Sequence, residues 1–397
     1  MAMAAVIEGP AARSGVRSET SRIARVTISH DLRDAEPIWR RLEDASLATP
    51  YQRFDFLAAW QQHVGAANNL HPCIVIASDA EGQPLLLLPL LVAAENGVRV
   101  ARFMGGKHAT FNMGLWQRDF AASVTAADLN SLLEMIGADP AKIDVLALVR
   151  QPERWQGARN PLALLPRQIS TNDCPLMTIV PGSAPAERIS NSFRRRLKGK
   201  ERKLQALSGY RYGLATTDAE IGRILDAFFR IKPLRMAAQK LPNVFADPGV
   251  EEFLRRACLT RLPGGGRAIE IHALTCDDEV IALFAGVADG HRFSMMFNTY
   301  TMSEASRHSP GLILMRHIVD HYAGLGYTSL DLGIGSDDYK RLFCRDDEPI
   351  FDSFLPFTTL GRLAAIGMSS LTHAKRLVKH TPALKQMAQM LRGALHR

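Results

Sequence analysis

One pattern occurs twice in this chain and restricts its fold more than anything else. The apolar runs Pro72–Ser78 and Pro84–Ala93 flank a polar turn, Asp79-Ala80-Glu81-Gly82, and Val98–Met104 follows as a third strand. A loop, a helix over Val124–Ile136 and a strand over Ile143–Val149 complete the order. Farther on, Arg267–Thr275 and Val280–Ala288 flank Cys276-Asp277-Asp278-Glu279, and Arg292–Asn298, a loop, a helix over Leu312–Ala323 and a strand over Thr328–Leu332 repeat it. Apolar runs around a short polar turn predict a hairpin, and leucines at helical spacing predict the helices. The recurring order therefore predicts an α/β protein of two tandem lobes, each a mixed, mostly antiparallel sheet flanked by helices. A length of 397 residues is too great for one core and sufficient for two.

The expected organisation follows from what lies between these blocks. Residues 1–21 lack a long apolar run and carry Glu8, Arg13 and Arg17, which predicts a disordered leader rather than a signal peptide. Residues 22–165 form the first lobe, opening with a strand at Arg25–Ser29 and helices at Ala35–Ala45 and Phe54–Val64. A Pro- and Gly-rich linker leads to the second lobe, residues 170–357, with helices over Asn191–Leu207, Thr217–Arg230 and Val250–Arg261. The polar stretch Ile231–Gly249 reads as a covering loop. Residues 358–397 form a basic amphipathic helical tail, because no acidic residue follows Asp352 while seven cations from Arg362 to Arg397 alternate with leucines. That tail is either a helical extension packed on the body or a surface that docks anionic lipid or an acidic partner.

Several chemistries are disfavoured at this level. The five cysteines are scattered singly, without a CxxC pair, so neither a zinc site nor a redox motif is expected, and the pattern suits a reducing cytoplasm. No run is long enough to span a bilayer, so the expected location is the cytoplasm, with contact at the inner membrane open through the tail. No HExxH, Walker loop or Ser-His-Asp spacing occurs, and His108 and His272 stand alone.

The loop after Arg292–Asn298 carries more information. Ser309 suits a helix N-cap, Pro310 a first helical position, and Gly311 a close approach to backbone. Spare N–H groups at this helix start, through Gly311 and Leu312, with Arg307 and His308 beside them, would suit a pyrophosphate; an ordinary capped helix is the alternative. The run Arg194–Lys203, including Arg195, is the densest basic segment and has one apolar face, Phe193, Leu197, Leu204 and Leu207. It is a solvated helix face or a contact for a phosphorylated donor, a polyanionic glycan or RNA.

Phe293–Asn298, Ser309-Pro310-Gly311 with its helix, Leu330-Asp331-Leu332-Gly333-Ile334-Gly335 and Asp338-Tyr339-Lys340 together resemble the acetyltransferase domain of CelD-type proteins of cellulose and polysaccharide biosynthesis. That family lies in the GNAT superfamily, near the FemABX transferases. The basic helix Phe193–Leu207 and the hairpin Ala268–Ala288 suit the same domain. The resemblance implies acetyl-CoA or another acyl-CoA as donor, no metal, and a small-molecule or glycan acceptor. It implies a donor site at Phe297, Asn298, Arg307, His308, Ser309, Gly311 and Leu312, with a backbone N–H near Phe297–Thr299 polarising the thioester. Tyr339 is the implied acid, or else a half-buried tyrosine. Asp331 is a base or substrate anchor, or else a turn residue before Gly333. Tyr300, Lys340, Arg195 and Lys240 are candidate substrate contacts. Pro310 departs from the usual glycine-rich pyrophosphate loop, because it removes an N–H. The expected function is CoA-dependent acyl transfer to a sugar or amine in envelope or exopolysaccharide synthesis. A FemABX-like aminoacyl transferase using charged tRNA, or a non-catalytic accessory of a membrane synthase, stays open beside it.

Overall fold

Ile74–Ala77 and Leu86–Leu91 are apolar at almost every position, and the strands they form are buried along those stretches, in the middle of a sheet. The structure, a computed structural model, describes residues 21–140, 142–277, 279–335 and 337–381. The expected leader and the end of the expected tail lie outside these residues.

The first sheet contains β1 (Arg25–Ser29), β2 (His71–Ser78), β3 (Pro84–Glu95), β4 (Val98–Phe103) and β5 (Val145–Pro152). The second contains β6 (Cys174–Thr178), β7 (Arg211–Leu214), β8 (Glu270–Cys276), β9 (Glu279–Ala288), β10 (Arg292–Tyr300), β11 (Ser329–Asp331) and β12 (Asp346–Glu348). One more strand, β13 (Ile350–Pro356), returns to the first sheet. The helices used below are α1 (Phe54–Trp60), α2 (Asn191–Gln205), α3 (Asp218–Ala238), α4 (Val250–Leu259), α5 (Pro310–Gly324) and α6 (Thr359–His380).

Both sheets are built alike. β1 to β4 are antiparallel neighbours in order, and β4 pairs with β5 in parallel. β7 to β10 repeat this, and β10 pairs with β11 in parallel. The chain is thus a pair of tandem GNAT-like lobes, as the repeated pattern predicts. The lobes also exchange strands. β6 follows the first lobe in sequence yet pairs antiparallel with β11, while β13 follows the second lobe yet pairs antiparallel with β5. β13 thus joins the first sheet although it lies within the expected bounds 170–357 of the second lobe. By sheet membership the second lobe ends at Glu348, because an apolar strand carries no mark of which sheet it will join.

The two lobes share a core. Phe56 of α1 meets Phe253 of α4 edge-on, with ring centroids 5.3 Å apart, and the same buried cluster runs on through Phe228 to Phe297. Trp155 Nε1 donates to Asp289 Oδ2 at 3.0 Å, and the Arg292 guanidinium lies 4.3 Å over the Trp155 ring. On its other face the second sheet is covered by α2 and α5. One expectation about helices changes. α3 does not stop at Arg230 but continues through Pro233 to Ala238, so Ile231–Ala238 is helix rather than loop. Residues 359–380 are a helix packed on β4, β5 and β13, with Ala365 against Val100, Val145 and Ala147.

Candidate active site

β10 and β11 run together for only three residue pairs, Arg292↔Ser329, Phe293↔Leu330 and Ser294↔Asp331. Beyond Ser294, β10 continues to Tyr300, while the chain after Asp331 turns away at Gly333, whose φ is +71°. A Cβ at Gly333 would sit 2.9 Å from the Met295 carbonyl oxygen, so a side chain has no place in this turn. On its other edge β10 carries a bulge: Ala285 faces Phe297 and Gly286 faces Met295, leaving Met296 unpaired. A bulge bends its strand, here at the point where its neighbour leaves. The result is a split sheet with one open strand edge.

The first lobe has the same split, between β4 and β5, but its own chain fills it. Asn112 donates its backbone N–H to Arg150 O at 2.9 Å and its side-chain amide to Val149 O at 3.0 Å. In the second lobe, the Asn298 carbonyl on the open edge accepts a hydrogen bond from Lys232 Nζ of α3 at 3.0 Å. The N–H and C=O of one strand residue project to the same edge, so the Asn298 N–H faces the split as well. Burial holds the Lys232 ammonium below its usual range, with Arg235 acting in the same sense and Asp337 opposing. One turn along α3, the Arg235 guanidinium stacks 3.3 Å over the Tyr300 ring. The Tyr339 hydroxyl meets the Asn298 side chain, and burial pushes its pKa well above the ordinary tyrosine value, so it stays protonated.

Asp331 closes the inner end of the split. Its carboxylate has no exposed surface, accepts from Ser294 Oγ at 2.5 Å and from the Gly333 N–H at 3.1 Å, and is pushed up to about 6 by burial against the pull of Arg292. The buried Tyr51 of the first lobe brings its hydroxyl to the same cluster, beside Thr110, Ser294 and Asp331. Lys340 is buried rather than solvated: its ammonium donates to Gly333 O at 3.1 Å and Ile334 O at 3.2 Å, which pins the turn after β11.

The loop from Thr301 to Ser309 carries the cations. Lys200 and Lys203 of α2, with Arg307 and His308, line an open groove of about 680 Å³. Desolvation first, then Arg307, Lys203 and Lys200, hold the His308 imidazole below its usual range. Ser309 precedes α5 as expected, but with φ of +56° and no side-chain cap; its hydroxyl instead accepts from Lys200 Nζ at 2.7 Å. At the start of α5, Pro310 has no N–H, and those of Leu312 and Ile313 both go to the Ser309 carbonyl at 3.1 and 3.2 Å. This leaves the Gly311 N–H as the donor free for an anion, fewer than the helix start promised. A Cβ at Gly311 would make ordinary contact, 3.6 Å from the Tyr300 ring, so the chain's own packing does not require glycine there. Phe297 is core, packed on Phe228 at 4.8 Å between ring centroids. Arg195 and Lys240 are exposed. No cluster of metal-ligating side chains occurs among the described residues.

The structure thus brings Asn298 and Tyr339 together and sets Gly311, at the start of α5, beside Tyr300; Arg307 and His308 line the groove with Lys200 and Lys203, where Glu304 pairs with Arg307 at 2.9 Å. Lys232 and Arg235 are the members that sequence reasoning missed, whereas Lys200 lies in the basic run Arg194–Lys203. Lys232 and Arg235 stand three apart, which on a helix puts them on one face, but that signal needs the helix to run through Pro233.

Residues 191–341 match the acetyltransferase (GNAT) domain. The matched segment spans α2 through the turn after β11, which is the split and its cationic groove. Among solved structures, the chain is similar to FemX, with a TM-score of 0.50 and 9% identity over 80% of this chain and 99% of that one. It is also similar to L-PGS from Bacillus licheniformis, with a TM-score of 0.49 and 10% identity over 90% of this chain and 99% of that one. At such identity the likeness to FemX speaks for the fold alone. No curated protein matches the sequence.

Proposed function

We propose that the second lobe takes an acyl group, acetyl in the simplest case, from a CoA thioester and transfers it to an amine or hydroxyl of a sugar or other small acceptor. The observation that carries this reading is the contrast between two corresponding splits, β4 from β5 in the first lobe and β10 from β11 in the second. Asn112 fills the first from the β5 side, whereas in the second the β10 edge meets one lysine side chain, and the loop that follows β10 contributes Arg307 and His308 to a groove with Lys200 and Lys203. An extended, amide-bearing donor arm can lie along such an edge, with its phosphates on Lys200, Lys203, Arg307, His308 and the Gly311 N–H.

The acceptor's lone pair attacks the thioester carbonyl carbon, the C–S bond breaks, and the departing sulfur takes a proton. The Asn298 N–H is placed to stabilise charge on the carbonyl oxygen, since it faces the split from a rigid strand. Tyr339, protonated beside Asn298, is the candidate donor of that proton. We assign Asp331 a positioning role, because it fixes Ser294 and Gly333 at the point of divergence and has no exposed surface. Placement in envelope or exopolysaccharide biosynthesis on the cytoplasmic side rests on the sequence resemblance. The test is thiol release from acetyl-CoA with a panel of amino sugars. Tyr339→Phe should lower kcat by roughly 10²-fold with little change in KM for acetyl-CoA; unchanged turnover would remove Tyr339 from the chemistry.

A further inference from the structure

α6 is seated on the first lobe with its larger aliphatic side chains pointing away from it. Its inner face is mostly small, with Met368 the long side chain packed on it. A Cβ at Gly361 would lie 1.8 Å from the Asp144 carbonyl oxygen, and Ala365 fills the contact with β4 and β5. Both ends are anchored. Thr358 Oγ1 donates to Asp144 Oδ1 at 2.6 Å, and Arg376 Nη1 donates to Ser170 O at 2.7 Å. The helix therefore cannot roll its leucines inward. On the outer side, Leu360, Leu363, Ile366, Leu371, Leu377 and Val378 keep between 36% and 67% of their surface exposed. At 3.6 residues per turn these six share one face, and the residues between them on that face, Gly367, Ser370 and Ala374, are uncharged. Arg362 and Lys375 border the stripe on its two sides. Arg376 and Lys379 turn toward the body, to Ser170 and Asn172.

An uncharged aliphatic stripe about 30 Å long, bordered by cations, is what an interfacial helix presents to a membrane. Charge decides between the possible occupants. From Ser353 to Arg397 the chain has no acidic residue and seven Lys or Arg, of which Lys385, Arg392 and Arg397 lie beyond Thr381 among Leu384, Met387, Leu391 and Leu395. A second copy laid on the same stripe would face that cation set with an identical one, which costs electrostatically, whereas anionic headgroups complement it. We propose that the outer face of α6 docks this protein on an anionic lipid surface, with Leu363, Ile366 and Leu377 entering the headgroup boundary and Arg362 and Lys375 reaching the phosphates. The proposal is independent of the acyltransferase reading.

The test is flotation of the full chain with phosphatidylcholine vesicles, with and without phosphatidylglycerol. Binding is expected to need the anionic lipid and to weaken as salt rises. Combined Leu363→Gln, Ile366→Gln and Leu377→Gln substitutions, on side chains that are exposed already, should lower the partition coefficient at least about tenfold while thermal unfolding stays unchanged. Equal binding by this variant would overturn the proposal. So would a wild-type chain that ignores both vesicles but sediments as a dimer that the same substitutions dissociate, because the stripe would then belong to a second copy.

Discussion

Replacing Asp331 by asparagine keeps the side chain's size and removes one negative charge from a place with no exposed surface. The carboxyl titrates near 3.8 when unperturbed and is pushed up to about 6 in the fold, chiefly by burial. Between those values the folded protein holds a proton that the unfolded chain has released. Ionised Asp331 is therefore a cost to the fold: its contribution is most favourable below the unfolded value and is lost as pH rises through about 6. At about 1.4 kcal/mol per tenfold, the gap corresponds to about 3 kcal/mol. Asparagine carries no such cost, and its amide can still accept from the Gly333 N–H and donate to a turned Ser294 hydroxyl. Urea unfolding of both proteins from about pH 4 to about pH 7 measures the difference. Wild type should lose about 2.4 kcal/mol relative to Asp331→Asn over that interval, the remainder of the gap lying below about pH 4. Parallel profiles would refute the burial argument. Abolished turnover with parallel profiles would instead return Asp331 to the role of base.

Three further outcomes follow from the same geometry. Gly333→Ala should destabilise by more than about 1–2 kcal/mol, the usual cost of a left-handed non-glycine residue, because its Cβ also meets the Met295 carbonyl; differential scanning calorimetry reads the loss. Arg292→Ala strips the partner from Glu348, which Arg292 Nη2 meets at 2.7 Å with both side chains nearly buried, and breaks the stack on Trp155. It should cost about 3–5 kcal/mol by the same calorimetry. Lys200→Met should raise the Kd for acetyl-CoA about tenfold and flatten its dependence on salt, read by titration at two ionic strengths.

What could be read from the residues was local. The hairpins around Asp79–Gly82 and Asp277–Glu279 announce themselves, because apolar runs on both sides of a polar turn have one economical pairing. The repeat of that order carries the tandem fold. Sheet membership was not legible, since β6 and β13 are apolar strands with antiparallel partners on either lobe's pattern, and only tertiary packing chooses. Pro233 reads as a helix stop, yet the packing of Phe228 and its neighbours against the second sheet carries α3 past it. That extension brings Lys232 and Arg235 to the split, so the error about the helix hid the site's cations. Ser309 and Pro310 were placed correctly at the start of α5, but the direction of a hydroxyl depends on a partner distant in sequence, here Lys200. The outward leucines of α6 escaped for a similar reason: periodicity gives a helix its faces without saying which one the body will take.

The account's central claim is that the open edge of β10 and the groove beside it receive a CoA thioester. Calorimetric titration of the purified chain with acetyl-CoA tests it most directly. One site per chain, lost when Lys200, Lys203 and Arg307 are neutralised together, is the predicted result. An absence of heat, together with an unfolding temperature that acetyl-CoA does not raise, would contradict it.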